Sequence, residues 1–173
     1  MPESLELFIS PEGIRETVRR LASELRRDYS AKDPVLIGVL KGASVFLSDL
    51  AREADFPLEI DFVQTSSYGK RETPSPDITV SRELSGDISG RHVIIVDGII
   101  DRGNTVAALL HYIRSKNPAS VRICTLLLRD GSPKGFAVDY AGVVLKNGFV
   151  VGYGMDYRER YRNLPAIYFL ADR

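Results

Sequence analysis

Val93-Ile94-Ile95-Val96-Asp97-Gly98-Ile99-Ile100-Asp101-Arg102-Gly103-Asn104-Thr105 is the stretch whose reading decides the fold. Val93 to Val96 are all β-branched and apolar on both faces, the pattern of a strand buried within a parallel sheet. Acids, glycines and a threonine follow. Val106, Leu109, Leu110 and Ile113 then recur at the spacing of one helix face. Strand, glycine-bearing loop and helix N-terminus, in that order, present backbone N–H groups to an anion, and phosphate is the expected guest. A loop built only for phosphate would not carry Asp97 and Asp101. Two carboxylates beside the cradle point to a phosphorylated sugar, with hydroxyls to accept from, a divalent ion to neutralise and a proton to move.

A second unit of the same kind lies upstream. Val35 to Leu40 reads as a buried strand, Lys41-Gly42-Ala43-Ser44 as a small-residue loop, and Val45, Phe46, Leu47 and Leu50 as a helix face. In open α/β sheets ligands sit at the carboxyl ends of strands, so two such loops on one edge support each other. Leu58 to Gln64 is a third strand. It runs into a polar Gly- and Pro-bearing stretch from Thr65 to Pro76, the length of a lid rather than of an ordinary connection. Ser10-Pro11 is a helix start, followed by an apolar stripe of Ile14, Val18, Leu21, Ala22 and Leu25. Arg15, Arg19, Arg20, Arg26 and Arg27 fall mostly off that stripe and read as a solvated face. Val121 to Leu128 is a further strand ending at Arg129. Ala141 to Leu145 and Phe149 to Gly152 read as two extended pieces joined by an Asn147-Gly148 turn. Ile167 to Leu170 is the last strand. The class expected is α/β, with a mostly parallel central sheet flanked by helices.

Composition narrows the function. A chain of 173 residues is expected to form a single domain with a sizeable core. Lys+Arg and Asp+Glu both number 23, which leaves no basic field for nucleic acid. Cys124 is the only cysteine, so no disulfide can form within the chain, and a cytoplasmic location is expected. No run of about 20 apolar residues calls for a membrane. His92 and His111 belong to no cluster of zinc-ligand type.

Gly98 to Thr105 nearly satisfies the nucleotide P-loop spacing, but Asn104 stands where that motif needs lysine, and Asp101 would put a negative charge inside the cradle. Val93 to Thr105 instead resembles the phosphoribosyl-diphosphate (PRPP) motif of the type I phosphoribosyltransferases, in its hypoxanthine–guanine branch. Leu40-Lys41-Gly42 is similar to that family's pyrophosphate loop, and Ser66-Ser67-Tyr68-Gly69 to the start of its mobile lid. Phe149 to Tyr157, followed by Tyr161-Arg162-Asn163-Leu164-Pro165, resembles its base-binding and C-terminal signature. The resemblance runs in order from about Val35 to Arg162. It implies one domain over 1–173, with a core at about 35–145, a small hood from about 1–10 and 146–173, and a flexible lid at about 65–77.

The resemblance also implies the reaction: transfer of 5-phosphoribosyl from PRPP to N9 of a 6-oxopurine (hypoxanthine, guanine or xanthine), releasing pyrophosphate, with Mg²⁺ as cofactor. Asp101 would be the general acid/base facing N7. The 5′-phosphate and ribose would lie on Asp97, Gly98, Asp101, Arg102, Gly103, Asn104 and Thr105. Lys41, Gly42 and Arg162 would hold pyrophosphate, Ser67 and Tyr68 would close the lid, and Asp97 and Asp156 would meet the metal. Phe149 would stack on the purine, Val150 would offer it main-chain hydrogen bonds, and Asp156 would meet its exocyclic edge. Arg129, where the family has lysine, offers only donors and so favours a 6-oxo group over adenine's 6-amino group. Partners expected by resemblance are PRPP, the base, pyrophosphate and further copies of the chain, as a homodimer or homotetramer. Two departures matter. The family's Glu-Asp pair is here Asp97-Gly98, and Arg102 replaces a threonine, bringing a cation that could grip phosphate or pair with Asp101. They leave two alternatives open: a non-catalytic PRPP or nucleotide sensor, and a transferase with altered base specificity.

Overall fold

The computed structural model describes residues 4–67, 78–132 and 135–171. A six-stranded sheet has the order β4-β3-β2-β5-β6-β7, built from β2 (Val35–Leu40), β3 (Glu59–Ser67), β4 (Ile78–Arg82), β5 (His92–Ile100), β6 (Ser120–Arg129) and β7 (Tyr140–Leu145). All neighbours pair in parallel except β3 with β4. β2 has β3 on one side and β5 on the other, so the chain reverses its direction of travel across the sheet there. The carboxyl ends of β2 and β5 therefore flank a crevice of the kind where ligands bind.

Alternation along the strands builds two cores, one on each face. Leu36, Ile94, Val96 and Cys124 pack with helices α1 (Pro11–Tyr29) and α2 (Ser44–Glu53). Val35, Ile37, Val39, Val93, Ile95 and Ile123 pack with α3 (Asn104–Arg114). This double burial is why β2 and β5 read as uninterrupted apolar runs. Ser10 caps α1, its Oγ accepting from the Gly13 N–H at 3.2 Å, with Pro11 in the first turn. The arginines of α1 pair with acids at the surface: Arg15 with Glu12, Arg19 with Glu53, Arg20 with Glu24, Arg26 with Asp55 and Arg27 with Asp28. No described helix is long and apolar enough to cross a membrane.

A second, antiparallel sheet of three strands has the order β1 (Leu5–Ile9), β9 (Ile167–Leu170), β8 (Val150–Val151). It corrects one expectation. Ala141 to Leu145 and Phe149 to Gly152 are not two arms of a hairpin, because β7 belongs to the large sheet and β8 to the small one. Asn147-Gly148 is the point where the chain leaves one sheet for the other. Gly148 has φ +84°, and a Cβ there would strike the Phe169 ring at 2.7 Å, so a side chain is excluded.

Candidate active site

Leu40, Lys41, Gly42, Ile99, Asp101, Arg129, Phe149, Val150, Met155, Asp156 and Arg162 line a cleft of about 360 Å³. Eight of them were expected from the sequence: Lys41, Gly42, Asp101, Arg129, Phe149, Val150, Asp156 and Arg162. They arrive from the ends of β2, β5 and β6, from β8 with the residue before it, and from the loop after it. Hollows of about 450 and 560 Å³ lie elsewhere, between α1, α2 and 162–165 and beside the C-terminal end of α1. The smaller cleft is the one at the carboxyl ends of the parallel strands.

Its two ends differ chemically. At one end the Arg129 Nε donates to Asp101 Oδ1 at 2.7 Å, and Nη1 donates to the Gly148 carbonyl at 3.0 Å. The register makes this pair, since Ile100 lies beside Leu128 where β5 and β6 run parallel, and the next residues are Asp101 and Arg129. Arg102 therefore is not the partner of Asp101; it is exposed and makes no ion pair among the described residues. Phe149 contacts Tyr157 edge-on, with ring centroids 5.8 Å apart.

At the other end stand Lys41 and Arg162. Lys41 follows a cis peptide bond from Leu40. Its Nζ lies 2.8 Å from Glu159 Oε2. Arg162 Nη1 donates to the Gly154 carbonyl at 2.8 Å, and Nη2 lies 2.7 Å from Asp156 Oδ1 and 3.3 Å from Glu159 Oε1. Glu159 was missed by sequence reasoning. The available signal was the charge run from Asp156 to Arg162, which sets Glu159 three residues from both ends.

Below the cleft, Asp101 to Gly103 lead into α3. Gly103 caps the helix with φ +82°, a conformation glycine adopts without strain, and no side chain caps the first turn. Its leading N–H groups are left for an anion. Asp97 is only partly exposed, and burial pushes its carboxyl up to about 7, against backbone N–H groups of Gly98 and Ile99. Gly98 packs close against the Lys41-Gly42 loop. A Cβ there would lie 3.1 Å from the Gly42 carbonyl oxygen, so the Lys41-Gly42 loop rests directly on β5. Ser67 ends β3; Tyr68 and the rest of the expected lid to residue 77 lie outside the described residues.

Among the described residues no three His, Cys, Asp or Glu side chains converge on a metal position. The donor set fits a hydrated Mg²⁺ that takes one or two carboxylates and otherwise substrate phosphates and water. A cation near Asp97 would offset the desolvation that raises its carboxyl.

A family model described as "Phosphoribosyl transferase domain" matches residues 9–158. The hypoxanthine-guanine-xanthine phosphoribosyltransferase of Tritrichomonas foetus is 40% identical over 175 residues, covering 99% of this chain and 95% of that protein. The hypoxanthine-guanine phosphoribosyltransferase of Bacillus subtilis is 40% identical over 163 residues, covering 94% and 91%. The chain also matches the bifunctional protein TilS/HprT of Listeria innocua at 41% identity, spanning 25% of that longer protein's length. In structure it is similar to a hypoxanthine-guanine phosphoribosyltransferase from Bacillus anthracis, with TM-score 0.89, 35% identity, and coverage of 98% of this chain and 99% of that one. The chain belongs to the phosphoribosyltransferase family.

Proposed function

We propose that the protein is a purine salvage enzyme that transfers 5-phosphoribosyl from PRPP to N9 of a 6-oxopurine, hypoxanthine or guanine and also xanthine. The products are the nucleotide and pyrophosphate. The observation that carries this is the two-ended cleft, with Asp101–Arg129 at one end, Lys41–Arg162 at the other, and, following directly on Asp101, the N-terminus of α3, which no side chain caps. PRPP carries a phosphate on one side of its ribose and a diphosphate on the other; the α3 N-terminus answers to the first and Lys41–Arg162 to the second, which leaves the Asp101–Arg129 end for the base.

As the bond from C1′ to the pyrophosphate oxygen breaks, C1′ becomes oxocarbenium-like and the departing group gains negative charge. Lys41 and Arg162 face that charge, the amides from Arg102 to Thr105 and the Thr105 hydroxyl hold the 5′-phosphate, and the reactants are thereby fixed for attack by N9. Asp101 exchanges a proton at N7 of the purine. Arg129, anchored on the Gly148 carbonyl, donates to the 6-oxo oxygen. Phe149 and Val150 flank the base, and Gly42 leaves the backbone open toward pyrophosphate. Asp97 and Asp156 would hold Mg²⁺, which neutralises pyrophosphate oxygens when bound. Ser67 and Tyr68 would close over the site and exclude water. The solitary buried Cys124 thiol suits a reducing, cytoplasmic setting.

The test is Asp101→Asn. Loss of a proton-transfer group should lower kcat by about 10²–10⁴-fold while leaving GMP affinity within a few-fold of wild type. A variant that turns over like wild type would remove Asp101 from the chemistry.

A further inference from the structure

The cations assigned to pyrophosphate already hold an anion that belongs to the protein. Glu159 spans them, with Oε2 2.8 Å from Lys41 Nζ and Oε1 3.3 Å from Arg162 Nη2. Lys41 is 118 residues away in sequence, so the bridge joins separate segments rather than neighbours on one loop. The loop is shaped to present it: Arg158, Glu159 and Tyr161 all have positive φ, at 51°, 65° and 75°, and the Glu159 N–H donates to Asp156 Oδ2 at 2.9 Å. Asp156 takes Arg162 through its other oxygen. Glu159 and Lys41 are both more than half exposed, at 64% and 58% of their side chains. A carboxylate so placed returns to water at little cost, because an exposed ion pair is weak.

We propose that Glu159 is a placeholder for pyrophosphate: it neutralises Lys41 and Arg162 while the site is empty and yields them when a diphosphate binds. The proposal rests on the assignment of Lys41 and Arg162 to pyrophosphate. A diphosphate carries several charges against one and offers oxygens to both cations together, so it displaces the carboxylate. The return of Glu159 then favours departure of the pyrophosphate product. Glu159 touches no reacting atom; it is a positioning residue that acts through two others and sets the affinity of one subsite.

Calorimetry with magnesium pyrophosphate and, separately, with GMP tests this on wild type, Glu159→Gln and Glu159→Asp. The glutamine variant should bind pyrophosphate about two- to tenfold more tightly, the worth of one exposed ion pair with Lys41 and one longer pair with the largely buried Arg162, and lower the KM for PRPP to match. GMP, whose phosphate sits on the α3 N-terminus, should bind within twofold of wild type. The aspartate variant, which keeps the charge, should move back toward wild type. Unchanged or weaker pyrophosphate binding by Glu159→Gln, with GMP binding intact, overturns the placeholder alone. Weaker binding of both ligands marks Glu159 as a structural support and also overturns it. A wild-type protein that binds neither ligand overturns the functional reading and the placeholder with it.

Discussion

Replacing Arg129 by alanine separates base recognition from stability. The Arg129 side chain is 22% exposed and that of Asp101 57%. Such a pair contributes about 0.2–1 kcal/mol to folding, and water can solvate the Asp101 carboxylate once the arginine is gone. The urea midpoint should therefore move little. Binding is different. A charge-assisted hydrogen bond from Arg129 to the 6-oxo oxygen is worth about 1.5–3 kcal/mol, so kcat/KM for hypoxanthine and guanine should fall about ten- to 150-fold at saturating PRPP. Turnover of adenine, expected to be poor in the wild type as well, should not fall. Arg129→Lys restores the charge but loses the anchor on the Gly148 carbonyl, and should recover only part of the loss. Kinetics with the separate bases and a urea melt on the same preparations supply the data. An alanine variant with kcat/KM within twofold of wild type would refute the recognition argument. One that loses more than about 3 kcal/mol of stability would show that the side chain is needed for packing instead.

Asp97 gives a pH signature in the metal-free protein. Its carboxyl is near 3.8 when unfolded and about 7 when folded, so its contribution is full below about pH 4 and lost as pH rises through 7. The total is at most about 4 kcal/mol, reduced by the partial access of water. Asp97→Asn should flatten that part of the profile and be the more stable protein at pH 8; an unchanged profile in urea melts would contradict this. Gly152 has φ +99°, and a Cβ there would collide with the Ala166 carbonyl oxygen, with the Leu164 Cβ at 3.4 Å on the same side. Gly152→Ala should cost about 2–5 kcal/mol, backbone strain and overpacking together, measured by urea denaturation; a loss under about 0.5 kcal/mol would contradict it. Cys124 is fully buried and its thiol is pushed up by burial, so a thiol reagent should modify it only as fast as the protein unfolds. Rapid labelling without denaturant would be the contrary result.

The central sheet was legible because β2 and β5 are buried on both faces, which leaves an unbroken apolar run that no surface element carries. The small sheet was legible in part: Ile167 to Leu170 read as a strand and the resemblance implied a hood from 1–10 and 146–173, but its pairing was not. β1 and β9 lie at opposite ends of the sequence, with Leu5 opposite Leu170, and β8 has only two residues, too few for a period. The Asn147-Gly148 turn misled for a related reason: an Asn-Gly pair permits positive φ, but whether the chain then folds back or crosses to another sheet is decided by Phe169 and Arg129, both distant. The motifs gave the cleft's residues but not their pairings. Asp101 and Arg129 were each marked, yet only the register of β5 on β6 sets them side by side. Gly98 read as a lost carboxylate, and only the fold shows that it faces the Gly42 carbonyl. Glu159 escaped because an exposed acid in a charge run has no periodic or compositional mark until the fold brings Lys41 to it.

The most direct test of the account is nucleotide formation by the wild-type protein with PRPP and Mg²⁺, given hypoxanthine, guanine, xanthine or adenine separately. Turnover with the 6-oxopurines and not with adenine is the result predicted by Asp101, Arg129 and the two-ended cleft. GMP bound without turnover of any base would contradict the account, and would make the protein a sensor of nucleotides rather than a transferase.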